Sequence, residues 1–421
     1  TGGPGTGKTT TVARLLALRL IEEVAAGRDP AELKVLLMAP TGKAAQRLNE
    51  SLGRATGQMQ LDGPVHDALQ AVTAGTIHRL LGWTPLPPER GGPFRHNAEH
   101  PLDADVVLVD EASMVDLSLM YRLFDAVPDH AQIILMGDRD QLASVEAGGV
   151  LGDLCRDPSR SDGATSSSDA DEMAFSPDRC AQLERRTSLK LAASQNVSRL
   201  SESVVTLRFS HRFSSESLLG QFATAIRNGN ADAAVQLLRD ADPNQLIWLD
   251  SADEEQTLDA VVTRAATGYQ SYLEALRATP DGSREAIQKL NSQRVLCAHR
   301  DGRFGESSLN RRIAERLAAD GWLNPGSGRS HYPGRPIMVS RNDYRLNIFN
   351  GDVGIVVRDR RRQQPAVLFE DPTEETGLRR LPSALVADAR DCFAMTIHKS
   401  QGSEFHQVLL VLPHADSPVL S

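Results

Sequence analysis

The chain has 421 residues and a formal net charge of −9, with 40% of its residues hydrophobic. At about 100–200 residues per domain, that length implies two to four domains with cores of their own. Four widely spaced cysteines (Cys155, Cys180, Cys297 and Cys392) exclude a CxxC zinc ribbon, a redox pair or a disulfide framework and suit a reducing cytosol; the acidic balance excludes a body basic over its whole surface, and no apolar run reaches the roughly 20 residues of a membrane span.

The chain opens at Thr1 on a glycine-rich stretch with no strand, initiator Met or targeting signal ahead of it, so it reads as a piece of a longer protein. Gly2-Gly3-Pro4-Gly5-Thr6-Gly7-Lys8-Thr9 matches GxxxxGK[ST], and Thr10 continues the helix that begins there. The glycines turn backbone N–H groups toward phosphate oxygens. Lys8 reaches the β- and γ-phosphates, the Thr9 hydroxyl suits Mg²⁺, and the helix start points its positive end at the anion. Val12, Leu15, Leu16 and Leu20 mark the buried face of that helix.

Val35–Met38, Val106–Val109 and Ile133–Met136 are short apolar strands alternating with helical patterns, which predicts a parallel sheet covered on both faces. Ligands of such sheets bind at the carboxyl ends of the strands. Those ends carry Thr41, Asp110-Glu111 and Gly137-Asp138. Asp110 is placed to hold Mg²⁺ through water and Glu111 to polarise an attacking water, as in-line phosphoryl transfer requires. The same Asp-Glu before Ala-Ser also suits a helix cap. Gln141, after the next strand, is placed to sense a γ-phosphate, or is a polar turn residue.

Asp157 to Asp178 is a Ser/Asp-rich, low-complexity stretch and is expected to be a mobile surface insertion, disordered over about residues 157–178. From Val204 a second α/β region is expected, with a strand at Arg294–Ala298 and a helix at Leu309–Ala319. Between Gly334 and about Ala387 the pattern changes to short strands, Ile337–Val339, Val353–Val357 and Ala366–Phe369, with Asn-Gly and Asp-Pro turns: a small β insertion. An α/β pattern then returns, with a strand at Val408–Leu412.

The order of these motifs resembles superfamily 1 helicases of the 5′→3′ class, and within them the RecD (alpha-subunit) family of the bacterial exodeoxyribonuclease V complex, RecBCD. The phosphate loop resembles motif I, Ala39–Ala45 motif Ia, Gly75–Gly82 motif Ib, Asp110–Ser113 motif II, Gly137–Leu142 motif III, Leu207–Phe213 motif IV and Met395–Phe405 motif V. Arg341–Tyr344 with Phe349–Ile355, and Leu296–Gly305 with Leu309-Asn310, resemble RecD in particular. The resemblance covers nearly the whole chain apart from the low-complexity stretch.

It implies an α/β fold of two RecA-like P-loop NTPase domains, parallel sheets with flanking helices, and a small SH3-like β insertion in the second, truncated at both ends. The first domain would span residues 1–203, the second 204–333 and 388–421, and the insertion 334–387. ATP and Mg²⁺ would be the cofactors. Lys8, Asp110, Glu111, Gln141 and Arg212 would be catalytic, Arg212 as an arginine finger, although a surface arginine of this kind also suits a simple ion pair. Gly2–Thr10 with Gly402 and Glu404 would bind ATP, and Thr9 and Asp110 the metal. Pro40, Thr41, Lys43, Thr76, His78, Asn342, Thr396, His398 and Lys399 would grip DNA through its backbone; His398 also suits a satisfied core histidine.

The implied activity is ATP-driven 5′→3′ DNA unwinding on single- and double-stranded DNA ends, in a heterotrimer with RecB-like and RecC-like subunits that processes double-strand breaks. The implied location is the bacterial cytoplasm, nucleoid-associated, with no membrane partner. Motif VI of the family falls beyond Ser421, so this piece alone is expected to be poorly active. A stand-alone helicase of the same superfamily and a non-hydrolysing DNA-binding subunit are the alternatives; intact Lys8, Thr9, Asp110, Glu111, Gln141 and Arg212 count against the latter.

Overall fold

The computed structural model describes all residues except 4, 85–93, 142–148, 156–174, 192, 194–199, 211–216, 250, 252, 327–330, 344, 360–363, 372–373, 375, 387 and 414–421. The chain divides into two compact units, Thr1–Trp248 and Leu249–Ser421.

The first unit runs α1 (Lys8–Ala25), β1 (Val35–Ala39), α2 (Gly42–Gly57), α3 (Gly63–Ala71), β2 (Ala74–Thr76), α4 (Ile77–Leu80), β3 (Val106–Val109), α5 (Leu117–Ala126), β4 (Gln132–Leu135), α6 (Val150–Cys155), α7 (Pro177–Thr187), α8 (Leu218–Arg227) and α9 (Ala231–Asp240). The four strands form a parallel sheet in the order β2-β1-β3-β4. All four residues of β3 are fully buried. Val106 and Leu108 join α1, α2 and α3 on one face, while Val107 and Val109 join α5 on the other. A run of consecutive apolar residues is what a strand covered on both faces needs.

The unit extends past residue 203, where the sequence expectation ended the first domain. Leu207 pairs in parallel with Gly2, its N–H donates to the Thr1 carbonyl (2.8 Å), and the Thr1 ammonium donates to the Val205 carbonyl (2.6 Å). The apolar segment read as opening the second domain therefore lies beside the phosphate loop. The low-complexity stretch is also shorter at its far end than expected. Phe175 is buried, and Ser176 caps α7 by accepting from Arg179 N–H (3.3 Å), with Pro177 at the first helical position. Ser-Pro-Asp is a helix start even in Ser/Asp-rich company. Residues 156–174 of that stretch lie outside the described residues.

The second unit runs α10 (Glu254–Ala278), α11 (Arg284–Ser292), β5 (Gln293–Cys297), α12 (Glu306–Ala319), β6 (Pro336–Val339), β7 (Val353–Asp359), β8 (Gln364–Glu370), β9 (Leu378–Pro382), β10 (Ala389–Asp391), β11 (Ala394–Thr396), α13 (Ile397–Ser400) and β12 (Gln407–Val411). A parallel sheet, β11-β5-β12, carries the α/β part. Inserted into it is an antiparallel sheet, β10-β6-β7-β8-β9. The sheet closes on β10, which lies past the expected limit at residue 387. Ile355, Val357 and Leu368 face a core shared with α10, α11 and α12, while Val356, Val367 and Phe369 face a second core with Ile337 and Val386. No described helix is long and apolar enough to cross a membrane.

Candidate active site

The phosphate loop is held at both edges of its first residues. Gly2 N–H donates to the Gly137 carbonyl after β4 (3.0 Å), and Arg139 N–H donates to Thr1 Oγ1 (3.2 Å). A Cβ on Gly2 would lie 2.6 Å from Thr6 Oγ1 and 3.0 Å from the Leu207 carbonyl oxygen, so only glycine fits. Gly5 and Gly7 have φ of 75° and 80°, in the left-handed region. Gly7 precedes α1 with no side-chain cap, which leaves the first amides of that helix for an anion. Lys8 Nζ bends back to the Gly2 and Gly3 carbonyls (2.7 and 3.2 Å), and Thr6 Oγ1 donates to Gly3 O (2.8 Å). Thr9 is half-buried and Thr10 exposed on the first turn; Pro4 lies outside the described residues.

The acids are fixed by backbone bonds around the end of β3. Asp110 N–H donates to Met38 O (2.9 Å), Glu111 N–H to Asp110 Oδ1 (2.9 Å) and Ala112 N–H to Met136 O (2.7 Å). Glu111 has φ 51° and ψ 40°, a left-handed conformation that an L-residue adopts at a cost. Burial pushes the Asp110 carboxyl up, against the Glu111 amide bond and the Lys8 charge. Burial also pushes Glu111 up, reinforced by the Asp110 and Asp138 charges and opposed by Lys8 and Arg47. The Lys8 charge thus acts on both Asp110 and Glu111, and the Asp110 and Asp138 charges act on Glu111.

Among the described residues, the buried side-chain oxygens with no hydrogen-bond partner are Glu111 Oε2 and Ser113 Oγ. Buried polar groups in native folds are nearly always paired, so two orphans in one motif need a reason. A bound nucleotide, its water and a divalent cation supply one, because they present the donors and charge these atoms lack. No cluster of three or more His, Cys, Asp or Glu able to hold a metal exists among the described residues. Thr9 on the first turn of α1 and Asp110 at the end of β3 are an oxygen pair of the kind that suits Mg²⁺, an ion that usually takes its remaining ligands from phosphate and water.

Gln141 lies on the turn after β4, its N–H donating to Asp138 O (3.3 Å). Asp138, 7% exposed and bonded through Oδ1 to Asp140 N–H (3.1 Å), was named in the sequence as a strand-end residue but given no role. Ser113 was quoted only as part of its motif. Arg212 lies outside the described residues.

The expected phosphate grips are placed unevenly. Thr41 and Thr76 cap α2 and α4, their hydroxyls accepting from Ala44 and Arg79 N–H (3.2 Å each), and Thr76 is buried. Pro40 precedes that cap, and Lys43 sits in the first turn of α2. His78 packs against Trp83 and Phe94, and burial pulls its pKa down. In the second unit, Thr396 precedes α13 with a hydroxyl free of capping; His398 and Lys399 follow on that turn, then Gly402 at φ 68° and Glu404, which is exposed. Asn342 accepts from Asn350 N–H (2.8 Å) in the loop between β6 and β7. Lys399 forms an ion pair with Glu306, a residue the sequence reading passed over.

The family described as AAA domain matches residues 1–147. The chain is 38% identical over 425 residues to the RecBCD enzyme subunit RecD of Mycolicibacterium smegmatis, covering 100% of this chain and 64% of the relative. It is 36% identical over 438 residues to RecD of Haemophilus influenzae, covering 100% and 63%. An ATP-dependent RecD2 DNA helicase of Deinococcus radiodurans is 29% identical over 429 residues, covering 100% of this chain and 44% of that protein. The chain thus spans a little under two thirds of the length of these RecD relatives. With a phosphate loop, paired acids at the end of β3 and identity running along its whole length, the chain is similar to the RecBCD enzyme subunits RecD.

Proposed function

We propose that this chain carries the motor core of an ATP-dependent 5′→3′ DNA helicase, the RecD-type subunit of a RecBCD assembly with RecB-like and RecC-like partners. The observation that carries the reading is the convergence of Lys8, Asp110 and Glu111 on one electrostatic site, with Glu111 Oε2 left without a partner. Lys8, now on the Gly2 and Gly3 carbonyls, turns to the β- and γ-phosphates when ATP enters. Glu111, raised in pKa and held in a strained backbone conformation, orients and deprotonates the attacking water. Thr9 and Asp110 hold Mg²⁺, which when bound neutralises charge on the phosphates. Gln141 and Arg212 act on the γ-phosphate.

Single- and double-stranded DNA ends are the polymer substrate. Pro40, Thr41, Lys43, Thr76, His78, Asn342, Thr396 and His398 lie on segments able to follow its backbone, with capping already occupying the Thr41 and Thr76 hydroxyls in part. The small antiparallel sheet that ends on β10 is the SH3-like insertion, and the bacterial cytoplasm, at the nucleoid, is where the protein works. The test is ATP hydrolysis by the full-length protein with and without single-stranded DNA, beside Lys8→Gln. Strong stimulation by DNA, lost in the variant, is expected. Hydrolysis indifferent to DNA, even with partner subunits present, overturns the helicase reading. The likeness to a RecD2 helicase keeps a stand-alone motor as the second reading; association with RecB- and RecC-like chains in a pull-down separates the two.

A further inference from the structure

Lys399 sits on α13, between Thr396 and Gly402, where the motif order suggests a DNA phosphate contact. The geometry gives its charge another owner. Lys399 Nζ lies 3.0 and 3.2 Å from the two carboxylate oxygens of Glu306, which is 3% exposed. Glu306 is the first residue of α12, and its own N–H donates to His299 O after β5 (3.0 Å). One turn on, the Asn310 side chain, also buried, donates to Ala394 O (2.8 Å) and accepts from Ala394 N–H (2.9 Å), while donating to Glu306 O (2.9 Å). Ala394 begins β11, an edge strand of the parallel sheet, and β11 runs straight into α13. Two adjacent turns of α12 thus hold both ends of one segment: Asn310 pairs with its first residue as a neighbouring strand would, and Glu306 fixes its last turn by charge.

A carboxylate buried to this degree needs its cation, because an unpaired buried charge is strongly disfavoured. We infer that Glu306 is a positioning residue for the motor reaction, and that Lys399 serves as its tether, orienting Thr396, His398 and Gly402 rather than binding DNA phosphate. The inference rests on the helicase reading above. Within it, misplacing this turn spoils the alignment on which turnover depends, and small displacements of reacting groups cost up to about 100-fold.

The test uses the full-length protein with oligo(dT) and compares Lys399→Met, Glu306→Gln and the double variant, with folding checked by thermal melting. Each phosphate cation lost from a single-strand site lowers the slope of log affinity against log salt by about 0.7. The expected result is a wild-type salt slope in all three variants, with DNA-stimulated kcat lowered tenfold or more in Glu306→Gln and in Lys399→Met. The double variant, with both charges removed, melts no lower than Lys399→Met and so keeps the comparison open where an orphaned Glu306 unfolds the single variant. A slope reduced by about 0.7 in Lys399→Met or in the double variant assigns Lys399 to phosphate and overturns the inference. Wild-type turnover in Glu306→Gln overturns it equally. A wild-type protein without DNA-stimulated hydrolysis overturns the helicase reading itself, and is told apart because it fails before any variant is compared.

Discussion

In the first unit, the buried oxygens Glu111 Oε2 and Ser113 Oγ have no partner; in the second, both oxygens of the buried Glu306 carboxylate lie on one lysine. Each unit has a parallel sheet with helices packed on it, and each buries a carboxylate, at the end of β3 in the first and at the start of α12 in the second. The first leaves Glu111 Oε2 without a hydrogen-bond partner, with only the Lys8 and Arg47 charges opposing its burial, and holds Glu111 in a left-handed backbone conformation. The second matches its carboxylate within its own fold. A site kept unsatisfied is ready for a ligand, whereas a satisfied one fixes geometry.

The largest effect expected on this contrast is from Glu111→Gln. Hydrolysis should fall by about 10²–10⁴, the usual contribution of a general base, while nucleotide binding survives and the melting temperature rises, since a buried charge is removed. A melting temperature that falls would mean that Lys8 and Arg47 outweigh the burial of Glu111 and would break the contrast. Asn310→Ala should have the opposite character. It strips the partners from Ala394 N–H and C=O, and urea unfolding should show a loss of about 2–3 kcal/mol, the cost of leaving buried polar groups unpaired. Thr41→Ala should cost about 1 kcal/mol as a lost helix cap, whereas Thr396→Ala, with no cap bond to lose, should be close to neutral in the same unfolding experiment.

The smallest expected effect is on pH. The Asp110 carboxyl is raised in the folded state, so the native protein binds that proton more tightly than the unfolded chain does. Its ionisation therefore subtracts stability once pH exceeds the folded value, and subtracts nothing below the unfolded value of about 3.9. Asp110→Asn should melt above wild type at neutral pH, with the gap closing as pH falls toward that value. A gap that widens on acidification would reverse the sign and place a stabilising partner on Asp110.

Much of the first unit was legible in the sequence because its signals are local. The phosphate loop, three apolar strands and the acids after the second of them are each contiguous, and four buried residues in a row declare a two-sided strand. The second unit was read less completely. β9, Leu378-Arg379-Arg380-Leu381-Pro382, carries two arginines in a five-residue edge strand, and β10 is three residues long, so neither gives a strong alternation. The pairing of Leu207 with Gly2 closes over most of the first unit, so nothing local near residue 204 announces it. Glu306 and Lys399 are 93 residues apart, and nothing in either segment announces the other. Pairings that close over such distances are decided by the fold.

The two ends of the antiparallel insertion have a mechanical consequence. Tyr272 Oη donates to Gly334 O (2.7 Å), just before β6, while Tyr269 Oη donates to Phe393 O and Arg294 to Cys392 O (2.7 Å), just after β10. Both tyrosines stand on the long helix α10, and both rings are fully buried. The chain leaving for the small sheet and the chain returning from it are clamped to the same rod, one turn apart. Such a root leaves little compliance between the sheet and α10. A pull on the small sheet would travel into the helix instead of being spent in bending a joint, and changes in the outer loops could accumulate without loosening the root.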